Sequence, residues 1–242
     1  AKCRRIKILL GSARSIPQLG LNAPLLACAL LGACTSGEPE HVELGSADYH
    51  SVNFPACPSD SPTGPAGATN KESLTDRVMF SVRTPKNYDP SLKHPLIVVY
   101  SPAGHNRFAS ESLTKLTLDA TRMGFIISFV DSVRLSVPSI RELSLVPVKL
   151  AGKWCIDPER IFLTGHSDGG TVASAIGFLP EMAFKPRAIA PSAAGIRAED
   201  ISTSNSCSAD ISVLTIQNED DSLFPDYGRG LAAWWANCNS CQ

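Results

Sequence analysis

The chain has 242 residues, of which 43% are hydrophobic and 19% are charged. This length and composition suit one globular domain or two small ones and exclude the disordered and fibrous classes of protein. The formal net charge of −1 predicts no basic surface for a polyanion, so nucleic acid is not expected as a partner.

The N-terminal residues 1–33 have the pattern of an export signal. Their charged residues are all basic, namely Lys2, Arg4, Arg5, Lys7 and Arg14. An apolar stretch at 19–31 then leads into Leu31-Gly32-Ala33-Cys34, which is similar to a bacterial lipobox. The sequence therefore predicts a lipoprotein signal peptide at 1–33 and lipidation of Cys34. The protein would be extracytoplasmic, either anchored to a bacterial membrane or secreted, and the alternative for this stretch is a short buried helix.

The cysteines agree with export. Of eight in the chain, five fall in the body after Cys34, at positions 57, 155, 207, 238 and 241. We expect structural disulfides with undefined pairing, and the odd number implies a free thiol or a missing partner. The Cys238-Asn239-Ser240-Cys241 segment alternatively suggests a redox motif or half a zinc site, but the surrounding sequence lacks the context that either requires, and no metal site is predicted.

Residues 34–70 are rich in Ser, Pro, Gly and acidic residues and have no helical or strand periodicity. The sequence predicts a flexible tether here, followed by a folded domain at 71–242.

Short apolar runs in that domain alternate with segments of helical length. The predicted strands cover residues 77–83, 95–100, 125–130, 161–164, 188–190 and 213–216. The predicted helices cover 109–123, 140–154 and 169–178, with Pro147 expected to kink or shorten the second helix. This alternation predicts an α/β fold in which a mostly parallel sheet lies between two layers of helices.

The strongest motif is Gly165-His166-Ser167-Asp168-Gly169, which lies between a predicted strand and a predicted helix. A turn this tight strains the backbone of its central serine, and glycines on both sides prevent Cβ clashes between the strand and the helix. The motif therefore predicts that Ser167 is a catalytic nucleophile at the end of the strand.

With this motif the sequence resembles the α/β-hydrolase fold and, within it, the secreted esterases similar to polyhydroxybutyrate depolymerases, feruloyl esterases and acetylxylan esterases. Residues 155–161 resemble the family's linker into the nucleophile strand, and residues 82–88 resemble its early strand and turn. The resemblance covers about residues 74–238 and implies a three-layer sandwich that lacks its last strand and helix here.

The resemblance also implies an oxyanion hole. One donor would be the backbone N–H of Asp168, and the other would come from the loop at 100–106. The family usually has His-Gly where this chain has Ser101-Pro102. Because Pro102 has no N–H, we expect Ala103 to donate, with Gly104 as the next choice.

The catalytic acid is expected after the strand at 213–216. Aligned on Pro225, the family's aspartate falls on Asp221, which would orient a histidine and stabilise its imidazolium. Asp220 is the alternative, and a solvated acidic turn would explain the same residues without a catalytic role.

No histidine follows Asp221, although the family's order is Ser, Asp, His. The chain's histidines are His41, His50, His94, His105 and His166. His166 should point away from Ser167 because neighbouring strand residues face opposite sides. His105, in the oxyanion loop, suits a surface or substrate-contacting role, and His94 suits an exposed turn.

The missing base and the odd cysteine count predict that the chain is a fragment; a complete but degenerate protein is the alternative. The expected function is hydrolysis of a carboxylic ester, in a small molecule or polymer, through an acyl-enzyme on Ser167 and without a cofactor. The alternative function is a non-catalytic lipoprotein of the same fold that binds polysaccharide or ester ligands. Four aromatic residues could line the site, although core packing is their default role: Phe224, Tyr227, Trp234 and Trp235.

Overall fold

The computed structural model describes residues 7–11, 37–180, 182–202 and 211–240. The predicted lipidation site Cys34 and most of the predicted signal peptide lie outside the described residues. So do Cys207 and Cys241. Within the described part of the chain, no helix is both long and apolar enough to cross a membrane.

The described residues form an eight-stranded sheet. Its strands are β1 (Lys7–Gly11), β2 (Ala68–Thr75), β3 (Val78–Arg83), β4 (His94–Tyr100), β5 (Ile126–Val130), β6 (Ile156–His166), β7 (Ala188–Ser192) and β8 (Ser212–Asn218). Their order across the sheet is β1-β8-β7-β6-β4-β5-β3-β2. The pairs β2–β3 and β3–β5 are antiparallel and the other pairs are parallel. The predicted α/β fold with a mostly parallel sheet is confirmed.

Helices lie on both faces of this sheet. They are α1 (Arg107–Thr114), α2 (Thr117–Arg122), α3 (Val137–Leu143), α4 (Val146–Ala151), α5 (Asp168–Phe178), α6 (Ala198–Ser202) and α7 (Tyr227–Cys238). On one face α1 and α2 contact β5, and the core there includes Val99 and Ala120. On the other face α5 contacts β6 and β7 while α7 contacts β8, around a core that includes Val98 and Val172. Alternate residues of β4 thus enter different cores, as a strand buried on both faces requires.

Two predicted helices are each divided in two. The helix expected at 109–123 is interrupted at Lys115, whose φ of 55° is left-handed and ends α1. The helix expected at 140–154 is interrupted between α3 and α4, and Pro147 lies in the first turn of α4. In the first turn of a helix the backbone N–H has no intrahelical partner, so a proline at that position costs no hydrogen bond. The helix is therefore interrupted before Pro147 and is not kinked at it.

The segment predicted as a flexible tether packs against the domain over much of its described length. The N–H of Gly45 donates to Oγ1 of Thr121 at 2.7 Å, and the ring of Phe54 is buried. A disulfide joins Cys57 to Cys155, directly before β6. Because these contacts join residues far apart in sequence, the local composition of the segment gave no sign of them.

His94 is fully buried, so the prediction of an exposed turn residue is wrong. Its Nδ1 and Nε2 lie 2.9 Å from the carbonyl oxygens of Gly124 and Asp89. The ring also packs against Tyr88, and burial raises the pKa of that tyrosine to about 12. A neutral imidazole has one N–H, so a hydrogen bond from the ring to one of these carbonyl oxygens offsets part of the cost of burying His94.

At the other edge, β1 pairs in parallel with β8, from Lys7 opposite Leu214 to Gly11 opposite Asn218. It lies where the family resemblance implies a further strand. It also lies within the segment predicted as an export signal, so cleavage before Cys34 would remove β1 and leave β8 as the edge strand.

Candidate active site

Ser167 lies in the sharp turn between β6 and α5. Its φ of 55° and ψ of −118° are outside the regions that residues with a Cβ usually adopt. Its backbone N–H donates to the carbonyl oxygen of Ser192, at the end of β7, at 2.9 Å. The strained turn predicted from the sequence is therefore present, and it holds Ser167 at the carboxyl edge of the sheet.

The glycines around Ser167 leave no room for side chains. A Cβ on Gly165 would lie 2.5 Å from the backbone of Gly169, and a Cβ on Gly169 would collide with the carbonyl of Tyr100. A Cβ on Gly170 would lie 2.7 Å from the carbonyl oxygen of Ser192. These obstacles are backbone atoms that cannot swing aside, so the motif is a steric requirement of packing α5 against β4, β6 and β7.

Of the two expected oxyanion donors, Asp168 directly follows Ser167, and Ala103 lies in the loop after β4, the strand that pairs with β6. Asp168 is the first residue of α5, where a backbone N–H has no partner inside the helix and the helix dipole favours negative charge. Ala103 is exposed in the loop that follows β4, and the N–H of His105 donates to the carbonyl of Pro102 in the same loop at 3.1 Å. The two N–H groups could stabilise an oxyanion formed at Ser167.

Ser101 anchors the oxyanion loop, a role that the sequence did not reveal. Its buried hydroxyl donates to the carbonyl oxygen of Val130 at 2.5 Å and lies 2.6 Å from Oγ of Ser110. Ser101 thus ties the loop to β5 and α1.

Asp221 lies in the loop after β8 and is half-buried, whereas Asp220 is exposed. One carboxylate oxygen of Asp221 accepts from Nε2 of Gln217 at 2.6 Å. The other accepts from the backbone N–H groups of Leu223 and Phe224 at 2.9 and 3.0 Å. Within the described part of the chain the carboxylate has no other hydrogen bond and no ion pair, so Asp221 orders its own loop and has no hydrogen bond to an imidazole.

A cavity of about 400 Å³ lies at this edge of the sheet, between the ends of β6, β7 and β8. Its walls include His166, Ser192, Asp220, Asp221 and the exposed Leu223. Nδ1 of His166 lies 3.1 Å from Oγ of Ser192. His166 is next to Ser167 in the sequence. Its imidazole therefore contacts a different serine, Ser192, on the neighbouring strand.

His105 does not supply a base either. It is exposed, and its Nδ1 lies 3.1 Å from the carbonyl oxygen of Ala103, two residues earlier. Across the residues that the structure describes, no imidazole has a hydrogen bond with Ser167 or Asp221. The site thus contains the expected nucleophile Ser167, the expected oxyanion donors and a carboxylate, but the described residues do not complete a catalytic triad.

The aromatic residues considered for the site belong mainly to the core. Trp235 is fully buried in α7, and Trp234 packs at its edge with ring centroids 4.9 Å apart. Phe224 and Tyr227 stack on each other at 5.4 Å. Leu223, which is 79% exposed, is the apolar side chain that reaches the cavity from this segment. Sequence reasoning missed it because a lone leucine in an acidic loop carries no periodic signal.

None of the protein-family models matches the chain, and no curated protein matches it. Solved structures do match. A truncated carbohydrate esterase from gut microbiota has a TM-score of 0.54 at 15% identity, covering 74% of this chain and 87% of that one. Thermogutta terrifontis esterase 2, phosphoramylated by tabun, has a TM-score of 0.55 at 12% identity, covering 77% and 83%. An α/β hydrolase from a Medee basin deep-sea metagenome library has a TM-score of 0.52 at 15% identity, covering 73% and 78%.

Proposed function

We propose that this chain, which has the α/β-hydrolase fold, is a serine hydrolase of carboxylic esters with Ser167 as the nucleophile. The observation that carries the proposal is the backbone of Ser167, a residue with a Cβ held at a φ of 55° between β6 and α5. Strain of this kind at a strand end is rarely retained without a function.

The reaction follows from the positions of the groups. Oγ of Ser167 attacks the ester carbonyl while a base removes the hydroxyl proton, and the N–H groups of Asp168 and Ala103 stabilise the resulting oxyanion. The C–O bond to the alcohol then breaks, and the alcohol leaves with the proton. Water, deprotonated by the same base, hydrolyses the acyl-serine and releases the carboxylic acid.

The base in this scheme is a histidine oriented by Asp221. The sequence of this chain has no histidine after Asp221, and Asp221 satisfies its oxygens within its own loop. We therefore expect this chain alone to acylate slowly and to turn over very little, because removing one member of a triad removes most of its rate enhancement.

The substrate class rests on the family resemblance: an ester-bearing small molecule or polymer, of the kind cleaved by secreted esterases similar to polyhydroxybutyrate depolymerases, feruloyl esterases and acetylxylan esterases. The likeness to a protein described as a carbohydrate esterase supports this class. Three polar side chains in the cavity wall, Ser192, Asn218 and Ser222, can form hydrogen bonds with an alcohol that carries several hydroxyl groups.

The arrangement of Asp221 favours the second candidate, a non-catalytic binding protein of the same fold. Its carboxylate has the hydrogen bonds of a loop-ordering aspartate, which need no catalytic partner. In that case the cavity would hold its ligand without cleaving it.

Paraoxon distinguishes the two candidates, because it phosphorylates an activated serine and releases one p-nitrophenolate per protein. We expect slow labelling that approaches one equivalent, with the added mass on the peptide that contains Ser167. Ser167→Ala should abolish this labelling. Ser112→Ala, at an exposed position on α1, is the matched control and should be labelled at the parent's rate within about twofold. A parent chain that stays unlabelled up to pH 9.5 would sink the esterase proposal and favour the binding protein.

The location is a separate proposal: export and anchoring through Cys34. The disulfide between Cys57 and Cys155 supports it, because such bonds persist mainly in oxidising compartments. Cys238 is also disulfide-bonded. Mass spectrometry of the protein from its host membrane would test the proposal, with an acylated Cys34 as the expected N-terminus.

A further inference from the structure

One half of one sheet face is apolar and is not covered by any described helix. Alternate residues of β7 and β8 are buried beneath α5 and α7, and the residues between them, on the opposite face, are half-exposed. These half-exposed residues include Phe162 of β6, Ala188 and Ala190 of β7, and Leu214 and Ile216 of β8. We call this surface the open face.

The open face forms the floor of a groove of about 590 Å³. Met123 and Ala120, from α2 and its C-terminal cap, form the wall at one side, and β8 lies at the other side. The rings of Phe125 and Phe162 meet within it at 5.8 Å. A groove this apolar is unfavourable in water, which implies that something covers it.

The described parts of the chain that flank residues 12–36 lie on either side of this groove. Upstream, β1 ends at Gly11, which pairs with Asn218 at the carboxyl end of β8. Downstream, Gly37 and Pro39 lie beside Lys115 and Thr117, where α1 gives way to α2. Gly11 and Gly37, the described residues that flank this stretch, therefore lie at opposite sides of the open face, on the β8 side and the α2 side.

The composition of the connecting segment suits such a surface. Residues 19–31 carry no charged side chain and include six leucines. From β8 to β4 the sheet is about 14 Å wide at the usual strand spacing, a width that this stretch can cross. The other undescribed segments fit less well, because residues 1–6 are basic and precede β1, and residues 203–210 are polar.

We infer that residues 19–31 of this chain dock in the groove and cover the open face. The inference is independent of the proposed esterase activity. It applies to molecules that keep their N-terminus, because cleavage before Cys34 would remove both β1 and the covering segment. In any one molecule, residues 19–31 therefore either act as part of an export signal or cover the sheet, but not both.

Photo-crosslinking of the full chain tests this inference. Benzoylphenylalanine replaces Leu214 in the groove and, as a matched control, Val137, which is 48% exposed on α3. The protein is made without export in an oxidising cytoplasm, and its intact mass confirms that residues 1–33 are present. We expect the Leu214 probe to crosslink within its own molecule to a peptide from 19–31, with a yield unchanged over a tenfold range of concentration. The Val137 probe should give no such product.

Crosslinks from position 214 to another molecule, with a yield that rises with concentration, would instead show a dimer and overturn the inference. Crosslinks to any other part of the chain, or none, would overturn it as well.

A second experiment uses the variant Leu25→Asp/Leu26→Asp and requires no crosslinking residue in the folded domain. It should raise the fluorescence of a hydrophobic dye several-fold over the parent, whereas Val52→Asp, at a surface position, should not. Equal fluorescence in the two variants would contradict the docking.

Discussion

The nucleophile turn and the acid loop lie at the same edge of the sheet, but they are determined in different ways. Around Ser167 the backbone of Tyr100 and Ser192 leaves no space for any residue larger than glycine at the flanking positions. Around Asp221 the loop is held by hydrogen bonds from one side chain and two backbone N–H groups. The turn therefore keeps the geometry of a catalytic element, whereas the loop is stable without a catalytic partner.

A turn that is fixed by steric contacts and a loop that is fixed by hydrogen bonds therefore differ in what they indicate about catalytic activity. A turn packed against three strands cannot change without damaging the core, so it stays recognisable whether or not the protein is active. A carboxylate that orders its own loop is retained for stability, so its presence says little about catalysis. Three substitutions test the comparison, beginning with the largest expected effect.

Gly169→Ala should have the largest effect, because the new Cβ would collide with the carbonyl of Tyr100. We expect the free energy of unfolding to fall by about 3 kcal/mol, which would lower Tm by about 6–12 °C in a domain of this size. Thermal unfolding followed by circular dichroism measures this change.

Gly152→Ala is the control, since its Cβ would lie 3.5 Å from the nearest carbonyl oxygen, that of Lys149, in ordinary contact. Its stability should stay within about 0.5 kcal/mol of the parent. Equal Tm values for the two variants would show that the turn is not sterically determined.

Asp221→Asn should have an intermediate effect. An amide can keep one set of backbone hydrogen bonds but presents an NH₂ group to Nε2 of Gln217, so two donors would face each other. We expect a loss of about 2 kcal/mol in urea unfolding.

Asp220→Asn, at the exposed neighbour, should change the free energy of unfolding by less than about 0.5 kcal/mol. If Asp221→Asn proved as mild as Asp220→Asn, the hydrogen bonds of Asp221 would contribute little to stability. The ordering of its loop would then not explain why an aspartate is present at position 221.

Ser167→Gly should have the smallest effect on stability, and a favourable one. Glycine adopts a φ of 55° without strain, whereas alanine keeps the Cβ that causes the strain. After allowing for the greater unfolded-state entropy of glycine, we expect Ser167→Gly to be about 1 kcal/mol more stable than Ser167→Ala. Both variants should lose paraoxon labelling. A glycine variant less stable than the alanine variant would indicate that the turn stores no strain.

The sequence predicted the parts of the fold that depend on local patterns. The runs in β4, β5 and β8 were recognisable because buried parallel strands are short and apolar, and the turn at Ser167 was recognisable because its glycines are required by contact. Contacts between distant residues were not predictable. His94 is buried because it meets the carbonyl of Gly124, and the presumed tether is fixed by Cys155, each far along the chain.

Of the candidate site, the sequence predicted the placement of Ser167 and the position of Asp168 at the start of α5. It did not predict the pairing of His166 with Ser192, because the neighbour of a strand residue across a sheet depends on the strand order. It also did not predict the partners of Asp221, since a motif fixes the order of residues but not their hydrogen bonds.

The pairing of β1 with β8 joins the first described strand to the last, so the ribosome makes β1 well before its partner. The sheet cannot close at this edge until β8 has emerged, and contacts between such distant segments form slowly. During that interval β1 and the segment after it have no partner strand and are available to an export receptor. The order of synthesis would then decide between the two fates of residues 19–31: early capture leads to export, and late release allows the strand to complete the sheet.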